Sequence, residues 1–83
     1  MRFLANAATL LGADPAPYEA AETARVEELI RAGTVEQCYV TADHNGAYFV
    51  FNAPDLEAAA ALMSTLPMAQ AGLLEFTFVE LVG

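Results

Sequence analysis

The sequence predicts an α+β fold in which one antiparallel sheet of four strands carries two helices on a single face. Three observations lead to this prediction. The chain has 83 residues, of which 57% are hydrophobic, enough for one small core but not for two. Strand-forming residues flank an Asn45-Gly46 pair, the commonest centre of a tight hairpin. One helical pattern precedes this hairpin and another follows it.

The first strand and the first helix are predicted from residues 1–11 and 18–32. The apolar run 1–11 stops at Gly12, which suits a strand better than a helix. Residues 18–32 carry acidic side chains near the start and Arg31 near the end, the arrangement that the helix dipole favours. Gly33 is well placed to end this helix in the left-handed conformation.

The hairpin is predicted over residues 35–53, with Asn45 and Gly46 as a two-residue type I′ turn because both tolerate positive φ. In that register Val40 would lie opposite Phe51. Since side chains alternate across a strand, one face of the hairpin would be apolar and pack against the helices. The other face, here called the mixed face, would combine apolar and polar side chains. The first face is Cys38, Val40, Ala42, Phe49, Phe51 and Ala53, and the mixed face is Tyr39, Thr41, Asp43, Tyr48, Val50 and Asn52.

The second helix and the last strand complete the pattern. Asp55 can cap a helix over residues 56–66, and Pro67 ends its regular part. Residues 68–72 are predicted to form an irregular link, and residues 73–82 alternate as a strand does. The order strand, helix, strand, strand, helix, strand is that of the split βαβ, ferredoxin-like fold, and we expect residues 1–83 to form one such domain.

The face of the sheet turned away from the helices is predicted to pair with a second copy of the chain. In the first and last strands, the residues expected to face the helices are Phe3, Ala5, Ala7, Leu74, Phe76 and Phe78. The opposite face then gathers apolar groups with a few polar ones, which usually line a pocket or an interface. Two such sheets packed together would enclose a chamber. The alternative is an ordinary small core that is merely rich in alanine.

The composition excludes several classes of partner. A net charge of -8 repels phosphate and anionic lipid, so neither nucleic acid nor a membrane surface is expected to bind. No stretch reaches the roughly 18 apolar residues of a membrane span. The lone Cys38 fits a reducing, cytoplasmic location, and we expect it to be a small core residue. One histidine without a cysteine pair leaves no metal-ligand spacing, so no metal is expected. The sequence also has no glycine-rich phosphate loop, so no cofactor is expected.

Four titratable side chains are candidates for chemistry. Glu75 would lie on the mixed face, either as a catalytic base or as a lining residue paired with a tyrosine or water. Asp43 and His44 adjoin the hairpin turn, where each is either catalytic or simply exposed. Glu22 falls in the apolar sector of the first helix, where it either pairs with Arg25 or points into a cavity.

A further group of polar residues is predicted to bind a substrate. Its members are Asn6, Tyr39, Thr41, Tyr48, Asn52, Thr77 and Glu22. The phenol hydroxyls could orient a substrate oxygen by hydrogen bonding. Alternatively the two tyrosines anchor a dimer interface, where this residue type is enriched.

Four short motifs carry a family resemblance: Glu28-Leu29, Arg31-Ala32-Gly33, Ser64-Thr65-Leu66-Pro67-Met68 and Leu74-Glu75-Phe76-Thr77. With these motifs, residues 22–81 resemble the muconolactone isomerase-like group of the dimeric α/β-barrel superfamily, and the related YCII-like proteins share the layout. It implies a ferredoxin-like subunit that pairs through its sheet into a homodimer or a higher homo-oligomer. It also implies a cofactor-free isomerase or cyclase of small oxygenated, lactone- or polyketide-like molecules.

Two functions follow as hypotheses. The first is a homodimeric protein that binds a small oxygenated metabolite and isomerises or cyclises it by carboxylate-assisted proton transfer. The second is a non-catalytic ligand-binding or assembly module of the same fold. It is favoured by Asn6 and Val40, which stand where the group often has charged residues. A redox or haem-handling role is a third possibility, but no histidine lies in the predicted helices.

Overall fold

The computed structural model describes residues 1–82 and consists of one antiparallel sheet with helices on one side. The strands are β1 (Arg2–Thr9), β2 (Val35–Val40), β3 (Gly46–Asn52) and β4 (Leu74–Leu81). The helices are α1 (Glu19–Arg31), α2 (Leu56–Met63) and α3 (Pro67–Gln70). The strand order is β2-β3-β1-β4, which confirms the predicted ferredoxin-like arrangement. Within the described residues, no helix is both long enough and apolar enough to cross a membrane.

The buried core lies between the sheet and the helices, on the face predicted for it. Burial alternates along β1 at Phe3, Ala5 and Ala7. The Phe3 ring stacks on that of Phe51 with 5.9 Å between the centroids. The buried apolar residues of the described chain are Phe3, Ala5, Ala7, Leu29, Val35, Phe49, Phe51, Ala53, Ala59, Met63 and Leu66. The core therefore draws on the inner face of the sheet, on α1, and on the segment from α2 to α3.

The hairpin between β2 and β3 forms, but the predicted register is wrong. Val40 lies opposite Ala47, four residues before the predicted Phe51, and Cys38 lies opposite Phe49. Because the shift is an even number of residues, the paired side chains keep the faces predicted for them. The predicted pairing of the two strands is therefore wrong, but the predicted inner and outer faces of the paired residues are correct.

The tip of the hairpin is a four-residue loop over residues 42–45 rather than a two-residue turn. It is closed by the Thr41 N–H, which donates to the Gly46 carbonyl at 2.9 Å. The left-handed residue is His44, with φ 60°, and neither residue of the Asn-Gly pair has positive φ. Ala42, predicted to face the helices, is consequently exposed in the loop.

A bulge at the start of β2 changes which side chains reach the outer face. The pairing slips between Val35 and Gln37, which leaves Glu36 as the extra residue. Val35 turns into the core. The Glu36 carboxylate instead accepts hydrogen bonds from Arg2 at 3.0 Å and from the Asn52 amide at 2.9 Å. One predicted substrate-binding residue, Asn52, is thus engaged by a neighbouring strand.

The segment after α2 is helical, so the prediction of an irregular link over residues 68–72 is wrong. The Asp55 side chain caps α2 as predicted, accepting a hydrogen bond from the Ala58 N–H at 2.8 Å. Leu66 is extended with ψ 135°, the conformation favoured before proline, and Pro67 takes the first position of α3. The helix predicted over residues 56–66 ends earlier, at Met63, and Pro67 begins the next helix rather than ending this one.

Candidate functional site

A cavity of about 340 Å³, here called the inner cavity, lies between the inner face of the sheet and α1. Its apolar lining includes Ala7, Val40, Ala47, Phe49, Met68 and Leu74. Its polar lining is Thr9, Glu19, Glu22, Thr23 and His44. Apolar walls with a few convergent polar groups are typical of a small-molecule site, and the volume suits a compact ligand.

Glu22 is held in the wall of the inner cavity by a hydrogen bond from another helix. Its Oε1 accepts the Met68 N–H at 3.0 Å. Burial raises the pKa of the Glu22 carboxyl above its ordinary 4.5, and the hydrogen bond from Met68 lowers it by less. The alternative pairing with Arg25 does not form, because that guanidinium contacts the Glu28 carboxylate and the Thr65 hydroxyl. The carboxylate is therefore available to a ligand.

The burial of Glu22 predicts a pH-dependent cost in stability. A carboxyl whose pKa is higher in the folded chain destabilises the fold as the pH rises above 4.5 and it ionises. We expect Glu22→Gln to melt at a higher temperature than the wild type at neutral pH, with the difference shrinking as the pH falls through the raised pKa toward 4.5 and disappearing below it. Melting curves across this pH range measure it. Glu57→Gln, at an exposed position of α2, reports the effect of removing one negative charge elsewhere, and equal curves for the two variants would contradict the prediction.

His44 reaches the inner cavity from the loop between β2 and β3. Its backbone N–H donates to the Thr41 carbonyl at 2.9 Å. The neighbouring Asp43 carboxylate accepts hydrogen bonds from the Thr41 hydroxyl at 2.6 Å and the Asn45 N–H at 3.0 Å. A hydrogen-bonded loop thus places His44 at the edge of the cavity that Glu22 also lines.

Asp43, a predicted catalytic candidate, is placed where it orders this loop. The hydrogen bond from Thr41, followed by that from Asn45, lowers the pKa of the Asp43 carboxyl below its ordinary 3.8. The side chain is exposed and borders a more open depression of about 310 Å³ on the outer face, together with Asn6 and Thr41. Since a carboxylate with a lowered pKa is a poor base, this geometry suits loop structure rather than proton abstraction.

Most of the other predicted site residues lie on the outer face and do not line the inner cavity. Four of them form one row across the sheet, one from each strand: Tyr39, Tyr48, Asn6 and Thr77. Glu75 is exposed on β4, opposite Ala8 of β1. The structure therefore divides the predicted residues between two faces, with Glu22 and His44 together on the inner side.

The sequence analysis missed several residues that line the inner cavity. Glu19 lies three residues before Glu22, on the same side of α1, so the helical periodicity carried a signal for it. The sequence carried no such signal for Met68, because the position of this residue depends on α3, which was not predicted. Thr9 and Thr23 supply hydroxyl groups that can donate or accept.

Cys38 lies half-buried near this site. Burial, and then the negative charge of Glu22, raises the pKa of the Cys38 thiol above its ordinary 9.0. A thiol held in its protonated form is a poor nucleophile.

Within residues 1–82, no three His, Cys, Asp or Glu side chains lie together in a group that could hold a metal ion.

The fold and the cavity define the class: a ferredoxin-like α+β domain with a cavity of ligand size beneath its sheet. Among solved structures, the chain is similar to muconolactone isomerase, with a TM-score of 0.78 and 25% identity over 100% of this chain and 90% of that chain. It is also similar to 5-chloro-2-hydroxyhydroquinone dehydrochlorinase from Burkholderia phenoliruptrix AC1100, solved in complex with 2,5-dihydroxybenzoquinone. That match has a TM-score of 0.80 and 19% identity, and covers 99% of this chain and 94% of that chain.

These similarities confirm the predicted resemblance to the muconolactone isomerase-like group of dimeric α/β-barrel proteins. The sequence itself matches no protein-family model and no curated protein. The likeness is therefore one of fold, over nearly the whole of each chain.

Proposed function

We propose that this chain is a cofactor-free isomerase or cyclase of a small oxygenated ring compound, acting by carboxylate-assisted proton transfer. The observation that carries the proposal is Glu22, a partly buried carboxylate in the wall of a ligand-sized cavity. This assignment moves the proposed base from Glu75, on the outer face, to the inner cavity. His44 lines the same cavity as a second group that can exchange protons.

In the proposed reaction, Glu22 takes a proton from a carbon next to the substrate carbonyl and returns it at another carbon. Desolvation makes the carboxylate a stronger base than an exposed one, and the Met68 N–H on Oε1 fixes its orientation. As the proton leaves, negative charge develops on the substrate oxygen. Donors in the cavity, the His44 imidazole and the Thr23 hydroxyl, can stabilise that charge. The double bond moves, and no electrons are gained or lost.

The names of the similar proteins support this class of substrate. One is an isomerase whose name specifies a lactone, and the other is a dehydrochlorinase of a hydroxylated ring that was solved with a dihydroxyquinone. Lactones and hydroxyquinones are compact oxygenated rings with acidic protons near a carbonyl. A cavity of about 340 Å³ suits a ligand of that size.

Proton transfer can be tested directly on the purified protein. We expect an unsaturated lactone or a hydroxyquinone from a panel to raise the melting temperature and, in deuterium oxide, to gain deuterium at ring positions as followed by proton NMR. Binding without deuterium incorporation for every bound compound would favour the alternative, a non-catalytic ligand-binding module. If no compound in either class binds, the proposed substrate class is wrong.

We also propose that two copies pair through the outer face of the sheet, as the sequence predicts. Large side chains there are exposed in the single chain: Tyr39 at 58%, Tyr48 at 42% and Val79 at 54%. A patch of this kind usually marks an interface, and tyrosine is enriched in interfaces. An assembly module would need the same surface. The cytoplasmic location remains a prediction that rests on the lone cysteine.

A further inference from the structure

The arginine side chains of this chain all lie away from the inner cavity. The sequence contains three, Arg2, Arg25 and Arg31, and none of them is among the residues that line it. Arg25, the nearest along the chain to Glu22, directs its guanidinium to Glu28 and to Thr65. It is therefore committed to joining α1 to the segment before α3.

The other two arginines lie at the ends of α1 and β1 that are far from the cavity. Arg31 ends α1, eight residues beyond the lining residue Thr23, which corresponds to about 12 Å along a helix. Arg2 begins β1, whose other end at Thr9 lines the cavity, and its guanidinium contacts Glu36 across the outer face. Neither can neutralise a negative charge on a ligand in the inner cavity.

Two carboxyl groups, in contrast, do line the cavity, beside the imidazole of His44. Glu19 and Glu22 both stand in the first turn of α1 and in the cavity wall. Two carboxylates outweigh the roughly half positive charge of a helix N-terminus. The net charge of -8 over the whole chain adds a repulsive field for anions.

From these placements we infer that the substrate of the proposed reaction is an uncharged ring compound, and that the inner cavity excludes ligands that carry a carboxylate. The inference rests on the proposed function of this cavity. A ligand carboxylate would lose its water and stand close to Glu22 without gaining a permanently charged partner, since no arginine is among the lining residues and His44 is the one basic side chain there. The oxygens of a neutral lactone or quinone, in contrast, can be satisfied by Thr9, Thr23 and His44.

A matched pair of probes tests the charge alone. The probes are a γ-butenolide bearing a carboxymethyl group and the carboxamide of the same compound, with dissociation constants measured by calorimetry on the wild-type protein at neutral pH. We expect the carboxamide to bind at least about tenfold more tightly, since like charges in a partly buried site repel strongly. Equal or tighter binding of the carboxylate would overturn this inference while leaving the proposed reaction intact. If neither probe binds, the proposed function fails for lactones, and this inference fails with it.

A gain of binding provides the second arm of the test. Thr23→Arg places a cation in the cavity wall, and Thr23→Gln is its uncharged control of similar length. We expect the arginine variant to tighten binding of the carboxylate by about tenfold relative to the glutamine variant, with little change for the carboxamide. Equal affinities of the two variants for the carboxylate would show that the missing cation is not what excludes it, and would overturn the inference.

Discussion

Glu22→Gln is expected to lower turnover by about a hundredfold or more, the usual effect of removing a general base. The amide still offers an oxygen to the Met68 N–H, so the wall of the cavity keeps its shape. Ligand affinity should therefore change by only about a few fold, since the amide replaces the carboxylate with a group of the same size. Initial rates at saturating substrate, together with a binding isotherm for each variant, separate the two effects.

Glu75→Gln is the matched control, because it makes the same chemical change on the outer face of the sheet. Glu75 is exposed and does not line the inner cavity. This variant should keep full turnover. The opposite pattern, in which Glu75→Gln is inactive and Glu22→Gln is active, would place the reaction in a chamber between two sheets.

Val79→Asp is expected to convert the proposed dimer into a monomer of 8.8 kDa. Val79 lies on the outer face opposite Leu4. It is two residues along β4 from Thr77, which belongs to the row across the sheet that contains both tyrosines. Pairing two sheets would bury two new carboxylates without cationic partners, and an unpaired buried charge costs several kcal/mol. Because this side chain is exposed in the single chain, the fold should survive. Sedimentation velocity at micromolar concentration measures the change, with circular dichroism to verify folding.

Val82→Asp serves as the control for that experiment, since it adds the same charge at an exposed position beyond the end of β4. It should sediment as the wild type does. Higher salt should strengthen the wild-type association, because screening reduces the repulsion between two chains of charge -8. A wild type that sediments as a monomer, or a Val79→Asp variant that remains dimeric, would contradict the proposed interface.

The order of the elements was predictable because its signals are local. The periodicity of apolar residues and the glycine and proline breaks identified each strand and both longer helices. The type of turn at the hairpin tip was not predictable, because Gly46 is required by a contact with another strand. A Cβ at this position would lie 2.5 Å from the Ala7 carbonyl oxygen of β1. A tight turn and a close approach of another strand both select glycine, and the sequence does not distinguish them.

The candidate site was only partly predictable for a similar reason. The helical wheel placed Glu22 in the apolar sector, but the partner of that carboxylate depends on where the segment after α2 folds. Arg25 is three residues away on the same helix, yet it reaches Thr65 instead. The N–H that does bind Glu22 belongs to Met68, in a helix that the sequence analysis described as a link. Such contacts between distant segments have no local signature.

The hairpin tip has a consequence for how this fold can vary. Residues added between Thr41 and Gly46 would lengthen the loop without moving the strands, as long as the hydrogen bond that closes it is kept. A slip of one residue in the pairing of β2 with β3 would instead exchange the inner and outer side chains of β2, unless a further bulge like that at Glu36 restored the alternation. Variation in this fold should therefore be tolerated at the loop and not in the paired residues on either side of it.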